Sequence, residues 1–445
     1  MTPFARSFHD PKYDNVVLCC SAQMGKTETM LDIIGSGFDQ RPRPTMLIGP
    51  DEKFVLKEHE PRVAELIESS PSLKLKTSTG KKSTKYQKII SGVPMRLAWA
   101  GSESQLSGMA AQLVLFDEID RVKAIKGKGD PFGIVKARGD SYRDSKRGVM
   151  STPTEANVEV EVCPDTGLVF WKKMSVEEVA SAIWRLWQAG TMHHWCWRCV
   201  HCGEWFVPRM SCLKGHEGKQ PARAKADAFI ECPHNGCVLT DADKIIMNAS
   251  GRYVAPGQSI DAEGNVTGDP PETVTLSYWV SGLASPFKTF GERAARLVEA
   301  QESGTIDELQ SAINTAFGEC YTPGIGQVPE WQKVMQHAAE YDRGEVPPGV
   351  RFLTLAADVQ GYGIYYAIRG WGAFGTSWLV DWGLLHGSTI EDDVWDRLED
   401  VITGTYGGKD DVDGMHISRA LIDAGCACRS NIGPVKRRRG AVVPE

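Results

Sequence analysis

Three groups of residues in this chain have the types and spacings that chemistry requires. The first is the stretch SAQMGKTE, where Gly25, Lys26 and Thr27 supply the last three positions of the phosphate-loop pattern G-x-x-x-x-G-K-[ST]. Such a loop curls backbone N–H groups around phosphates. Its lysine reaches the β and γ oxygens, and its hydroxyl faces a magnesium ion. Cys20 stands where the pattern has its first glycine, and GKT alone also fits an ordinary strand-to-helix turn. Residues 112–118, QLVLFDE, decide between the two: an apolar strand ending in two acids has the form of a Walker B element. Asp117 is expected to hold magnesium through water, and Glu118 to orient the attacking water. A third strand-like run, 148–150, ends at Ser151-Thr152-Pro153-Thr154, whose hydroxyls can sense a γ-phosphate from a strand's carboxyl end. Arg138 or Arg143 is the candidate for a transition-state arginine.

The second group is sulfur. Of twelve cysteines, five fall between Cys196 and Cys232, a clustering that favours a metal over evenly spread disulfides. Two short knuckles, CVHC and CPHNGC, are joined by a basic loop. Cys199, Cys202, Cys232 and Cys237 can give zinc a tetrahedron of thiolates. Cys196 and Cys212 stand as spares, and His201 and His234 as lower-ranked alternatives. Four thiolates close the coordination shell, so the expected role is structural. Lys214, Lys219, Arg223 and Lys225 on the loop could meet phosphates, although a solvated basic loop is the commoner outcome.

The third group is carboxylates. Strand-like runs at 350–360, 363–372 and 376–381 are separated by glycine turns and read as an antiparallel meander. A helix fits 390–402, and a fourth strand fits 417–422. Acids close the first and fourth runs. This order resembles an RNase H-like nuclease, in which carboxylates from neighbouring strands bind two magnesium ions. By that analogy Asp358 and Asp423 are the first two metal ligands, with Asp381 a weaker candidate. The fold needs a third acid from a later helix. After Ala424-Gly425 the chain reads CACRSNIGPVKRRRGAVVPE, with no acid before Glu445, so an incomplete nuclease is expected.

The elements that must position these groups follow from periodicity. The buried run 15–20 and the amphipathic run 27–34 flank the phosphate loop, and helical periodicity recurs at 290–300 and 306–317. At 445 residues the chain predicts two or three domains. A net charge of -7 argues against a protein that coats nucleic acid everywhere, without excluding local basic tracks. No apolar run reaches the 18 or so residues of a membrane span, and the start lacks the apolar core of a secretory signal.

SAQMGKTE, LVLFDEID and STPT, in that order and spacing, resemble the ATPase motifs of the lambda-type terminase large subunit of tailed bacteriophages. That family tolerates a missing first glycine and carries paired cysteine knuckles between motor and nuclease. It also has connector elements similar to Ser285-Pro286-Phe287, Asn314-Thr315 and Gly318-Glu319, and the contexts LAADVQ and LIDAG. The resemblance runs from about Pro11 to Gly425. It implies an α/β fold: a P-loop NTPase domain with a mainly parallel sheet at 1–185, a zinc-knuckle and connector region at 186–330, and an RNase H-like nuclease at 331–445, altered after 425. It further implies a coupling role for Ser151 and Thr152, the cofactors ATP, Mg2+ and Zn2+, and work in the host bacterial cytoplasm. The implied partners are double-stranded DNA, a portal ring and a small subunit, with a homo-oligomeric ring during packaging. The family's adenine-contacting segment precedes the first strand; only fourteen residues do so here, so weak base recognition or a truncated N-terminus is expected. The rivals are a helicase-nuclease, whose second lobe would stand where the knuckles do, and a degraded prophage remnant that binds DNA or portal.

Overall fold

A computed structural model of the chain describes residues 2–78, 83–102, 105–106, 110–122, 132–133, 142–322, 340–407 and 414–423. The chain forms two compact units, Met1–Ile325 and Gly326–Glu445.

The larger unit is built on a ten-stranded sheet. Its first six strands are β1 (Asn15–Cys20), β2 (Thr45–Gly49), β3 (Gln87–Ile90), β4 (Val93–Trp99), β5 (Leu113–Asp117) and β6 (Lys146–Ser151). Four more follow: β7 (His193–Arg198), β8 (Trp205–Phe206), β9 (Arg252–Val254) and β10 (Thr275–Val280). The order is β8-β7-β10-β1-β6-β5-β2-β4-β3, with β9 also on β7. From β7 to β4 the pairing is parallel, and antiparallel strands occur only at the margins. This is the mainly parallel α/β sheet expected from the sequence.

Parallel strands covered on both faces read as unbroken apolar runs, which is why NVVLCC and LVLFD lack alternation. Val16, Leu18 and Cys20 point into one core layer, and Val17 and Cys19 into the other. Helix α1 (Lys26–Gln40) buries Met30, Ile33, Ile34 and Phe38 against the first layer. Each such side chain contributes about 1.5–3 kcal/mol. Helix α2 (Ala182–Gln188) brings Trp184 and Trp187 into the second layer beside Trp171 and Trp279. Strands β7 and β10 were not anticipated. They draw the cysteine and connector regions into the same sheet as the phosphate loop. The run 306–317 forms a helix at Ile306–Ala312 that widens into a π turn at Ile313–Phe317.

The smaller unit has a five-stranded sheet. Its strands are β11 (Phe352–Gln360), β12 (Gly363–Trp371), β13 (Ser377–His386), β14 (Thr405–Tyr406) and β15 (Met415–Ile422), in the order β13-β12-β11-β15-β14. The meander is antiparallel, and β15 returns parallel to β11. Along β11, Leu353, Leu355, Ala357 and Val359 face a core closed by Val394, Trp395 and Leu398 of helix α3 (Asp393–Thr403). Strict alternation then places Asp358 on the open face.

Candidate functional site

The phosphate loop leaves the carboxyl end of β1 and enters α1 through Gly25, whose φ of 81° favours glycine. Because β6 lies between β1 and β5, Ser151 and Thr152 emerge between the loop and the two acids. Lys26, only 6% exposed, donates to Thr152 Oγ1 at 2.7 Å and Ser21 O at 3.2 Å, and pairs with Glu118 Oε1 at 3.2 Å. Burial draws its pKa down, but the neighbouring Cys20, Glu118 and Asp117 overcome that and raise it, so Lys26 is a cation. Glu118 has φ 55°, a left-handed backbone costing about 1 kcal/mol or more, and donates its N–H to Met150 O at 2.8 Å.

Asp117 is fully buried, and its Oδ2 accepts from Thr27 Oγ1 at 2.9 Å. The same oxygen lies 3.2 Å from Nε2 of His59, also fully buried, on the π turn Val55–His59. Asp117 Oδ1 has no hydrogen-bond partner among the described residues. Thr27 and Asp117 therefore offer a hydroxyl and an open carboxylate oxygen on one side of the loop, a donor set that suits a hydrated magnesium ion.

A cavity of about 470 Å3 opens over Ala22–Glu28 and is closed by Glu118, Arg62 and Phe287. Arg62 sits within reach of Glu28 and Glu58, at 3.7 and 3.6 Å. A larger cavity, about 750 Å3, lies at the opposite ends of the strands beside Asp14 and Lys146, and Arg143 lines it. Arg143 thus stands away from the phosphate loop of its own chain, and Arg138 lies outside the described residues. Sequence reasoning missed His59 and Arg62, which are brought in only by folding. It also missed Asp120, which ties STPT to α2 by accepting from Thr154 Oγ1 at 2.9 Å and from the N–H groups of Ala182 and Ile183 at 3.0 and 2.8 Å. Ser151 Oγ accepts from Asp120 N at 3.3 Å, so of the two hydroxyls it is Thr152 that touches Lys26.

The connector braces the loop from behind. Ala22 N donates to Thr315 O at 3.0 Å, and Trp279 Nε1 to Gly318 O at 2.7 Å. A Cβ on Gly318 would stand 2.6 Å from Ser21 N, so only glycine permits this approach. Glu319 Oε1 accepts from Met210 N at 2.6 Å, and burial pushes its carboxyl up to about 7.

The sulfurs of Cys199, Cys202, Cys232 and Cys237 lie within 4.8 Å of one another. Zinc bonded to sulfur at about 2.3 Å in a tetrahedron sets sulfurs about 3.8 Å apart, and Cys202 and Cys232 are 3.8 Å apart. Gly203 N donates to Cys199 O and Gly236 N to Cys232 O, both at 2.9 Å, and both glycines have positive φ. The donor set fits zinc. Cys196 Sγ contacts His194 O at 3.5 Å, His234 Nε2 lies 2.9 Å from Trp205 O, and Cys212 and His201 are likewise outside the four-sulfur group. On the basic loop, Lys219 and Arg223 both pair with Asp227, at 2.9 and 2.6 Å, which reduces the charge left for phosphates.

In the smaller unit, Ala357 pairs with Ile422 across the parallel strands, and Asp423 N donates to Ala357 O at 2.9 Å. The next residues, Asp358 and Asp423, therefore come side by side, both exposed. Asp358 Oδ2 accepts from Gln360 Nε2 at 2.9 Å, and Tyr365 lies opposite it on β12. Asp381 is elsewhere: it pairs with Arg343 at 2.5 Å and accepts from Tyr366 Oη at 3.2 Å. Two neighbouring exposed carboxylates suit one divalent cation. The expected alteration after 425 falls on residues 424–445, outside the described residues.

A family model described as the phage terminase large subunit gpA, ATPase domain, matches residues 1–253, and one for the terminase large subunit gpA, endonuclease domain, matches 275–431. The chain is 28% identical over 240 residues to the terminase large subunit of Escherichia phage lambda, which covers 51% of this chain and 36% of the relative. It is 22% identical over 431 residues to that of Enterobacteria phage P21, covering 92% and 62%. The chain thus spans between about a third and two thirds of these relatives' lengths. The crystal structure of the HK97 bacteriophage large terminase aligns at a TM-score of 0.40 and 10% identity, covering 84% of this chain and 60% of that one.

Proposed function

Since the chain belongs to the phage terminase large subunit gpA family, we propose that it is an ATP-hydrolysing motor that moves double-stranded DNA into a procapsid and a metal-dependent endonuclease that cuts concatemers. The observation that carries the motor reading is the constellation of buried Lys26 and Asp117 with half-buried Thr27 and Glu118 at the carboxyl ends of adjacent strands.

In this reading the loop amides from Ala22 to Thr27 cradle the phosphates, and Lys26 faces the β and γ oxygens. Thr27 and Asp117 would hold a magnesium ion, which would supply positive charge to the phosphates. Glu118 orients the attacking water. It must first leave Lys26, 3.2 Å away, and an arriving γ-phosphate replaces it there. The same exchange frees Thr152 from Lys26, which makes Thr152, with Ser151 behind it, the element that reports phosphate occupancy to β6.

Residues 1–185 form the motor, 186–330 the knuckle and connector region, and 331–445 the nuclease. Cys199, Cys202, Cys232 and Cys237 hold a structural zinc, while Asp358 and Asp423 hold a divalent cation for phosphodiester hydrolysis. DNA is gripped through its phosphates, since packaging must accept any sequence. A portal protein, a small subunit and neighbouring copies in a ring complete the machine in the host cytoplasm. A DNA-stimulated ATPase assay tests the reading. Lys26→Ala, folded by circular dichroism, is expected to lose about a thousandfold or more of turnover; near wild-type turnover would place the site elsewhere.

A further inference from the structure

The phosphate loop accounts for the triphosphate of a nucleotide and leaves its nucleoside half unassigned. Two observations point to where it goes. Phe287, two-thirds exposed, forms part of the wall of the cavity that holds Gly25, Lys26 and Glu118. It is presented there by a fixed turn: its N–H donates to Oγ of the fully buried Ser285 at 3.3 Å.

A second cavity, about 340 Å3, shares Ala22 and Gln23 with the first and is lined on its far side by Arg293, Arg296 and Thr315. Lys288 and Arg296 are already paired, with Glu292 at 3.2 Å and Glu308 at 2.8 Å. Arg293 is not. It is 6% exposed, donates one long bond to Thr315 O at 3.4 Å, and leaves Nε and Nη2 without partners among the described residues. Buried donors without acceptors are costly unless something arrives to satisfy them. Burial pulls the guanidinium down to about 10, so it is still a cation at neutral pH.

We propose that Phe287 and Arg293 form the nucleoside subsite: the phenyl ring stacks on the base of bound ATP, and the guanidinium donates to acceptors of the base or ribose. A base offers a π face and ring-nitrogen acceptors, and a ribose offers hydroxyl oxygens, which matches one flat apolar group and one unsatisfied fork of donors. The subsite belongs to the segment that braces the loop, since Thr315 O takes both the Ala22 N–H and the Arg293 bond. Base recognition then comes from the connector rather than from a segment ahead of β1.

The inference rests on the ATPase reading, and steady-state kinetics on the full chain separates the two. Phe287→Ala is expected to raise KM for ATP about tenfold with kcat within about twofold. Inorganic tripolyphosphate, a competitive inhibitor lacking a nucleoside, should bind both proteins equally, and Phe287→Tyr should restore KM. Arg293→Lys keeps the charge but loses the fork, and should raise KM for ATP without changing tripolyphosphate inhibition. An unchanged KM in Phe287→Ala, with wild-type hydrolysis intact, overturns the subsite alone. So does tripolyphosphate inhibition that weakens in step with KM, which would mark general damage to the phosphate loop. A wild-type chain that hydrolyses no ATP overturns the ATPase reading and the subsite with it.

Discussion

The two acidic sites of this molecule are built on opposite plans. Around the phosphate loop the charges are buried or half-buried and already paired: Lys26 with Glu118, and Asp117 with Thr27 and His59. In the smaller unit, Asp358 and Asp423 sit on the open face of a sheet whose other face carries the core. A buried network is held in place before its ligand comes, because each member left alone would be an unsatisfied polar group. Exposed carboxylates remain hydrated, so substituting one leaves no buried partner unsatisfied. Chemistry and stability should therefore be coupled at the first site and separable at the second.

Substituting matched acids breaks or sharpens that contrast most directly. Asp117→Ala is expected to lose about a thousandfold of ATP turnover and also about 1–3 kcal/mol of stability, because His59 Nε2 is left buried without its partner. Asp358→Ala should abolish manganese binding, read by calorimetry, while shifting stability by no more than about 0.5 kcal/mol. Equal stability losses in urea melts would show that the two sites do not differ as described.

The cysteine cluster is a third case, with two of its four thiols buried, and it is expected to need its ion. Cys199 and Cys232 belong to the same core layer as Trp197 of β7 and Phe290. One zinc per chain is expected by elemental analysis. Stripping it with a chelator should lower the melting temperature of the larger unit by several degrees or more. Cys199→Ser with Cys232→Ser should reproduce that loss, and full zinc retention in the double variant would remove the assignment.

The last effect concerns Glu319 and is read in stability alone. Its folded pKa is raised by burial to about 7 from 4.5. The stability it allows is fully present below about pH 4.5 and declines as pH rises through 7, where the buried carboxyl must ionise. At 1.36 kcal/mol per unit the full decline is on the order of 3 kcal/mol. Glu319→Gln keeps the acceptor for Met210 N, so it should raise the melting temperature by a few degrees at pH 8 and leave it unchanged at pH 4. A gain of the same size at both pH values would rule out the ionisation account.

Much of this was legible beforehand, for identifiable reasons. The strands β1, β5 and β6 are buried on both faces, so their apolar runs announce them, and the motif residues stand at their ends. That Asp358 and Asp423 would come side by side was legible because a two-residue period defines β11 and a strand-like run defines β15, with an acid at or just beyond the carboxyl end of each. Strands β7 and β10 were not. HHWCWR and TLSYWV mix histidine, tyrosine and tryptophan with polar residues, since one face of this pair packs against Trp171, Trp184 and Trp187. His59 stands 58 residues from the aspartate it touches, and no local pattern encodes that meeting. The left-handed backbone of Glu118 is equally invisible, because a non-glycine residue at positive φ carries no local sequence signal.

The position of β1 between β6 and β10 has a consequence for how the molecule is made. Asn15 pairs with Arg147 on one side and Thr275 on the other, so the strand leading into the phosphate loop emerges early from the ribosome and waits for both neighbours. At roughly 5–20 residues per second, the later partner arrives on the order of ten seconds to a minute afterwards. Throughout that interval NVVLCC presents a bare apolar edge, the kind of surface that templates aggregation. A fragment cut at 253, where the match to the family's ATPase model ends, makes the interval permanent, because it omits the strand that closes that edge.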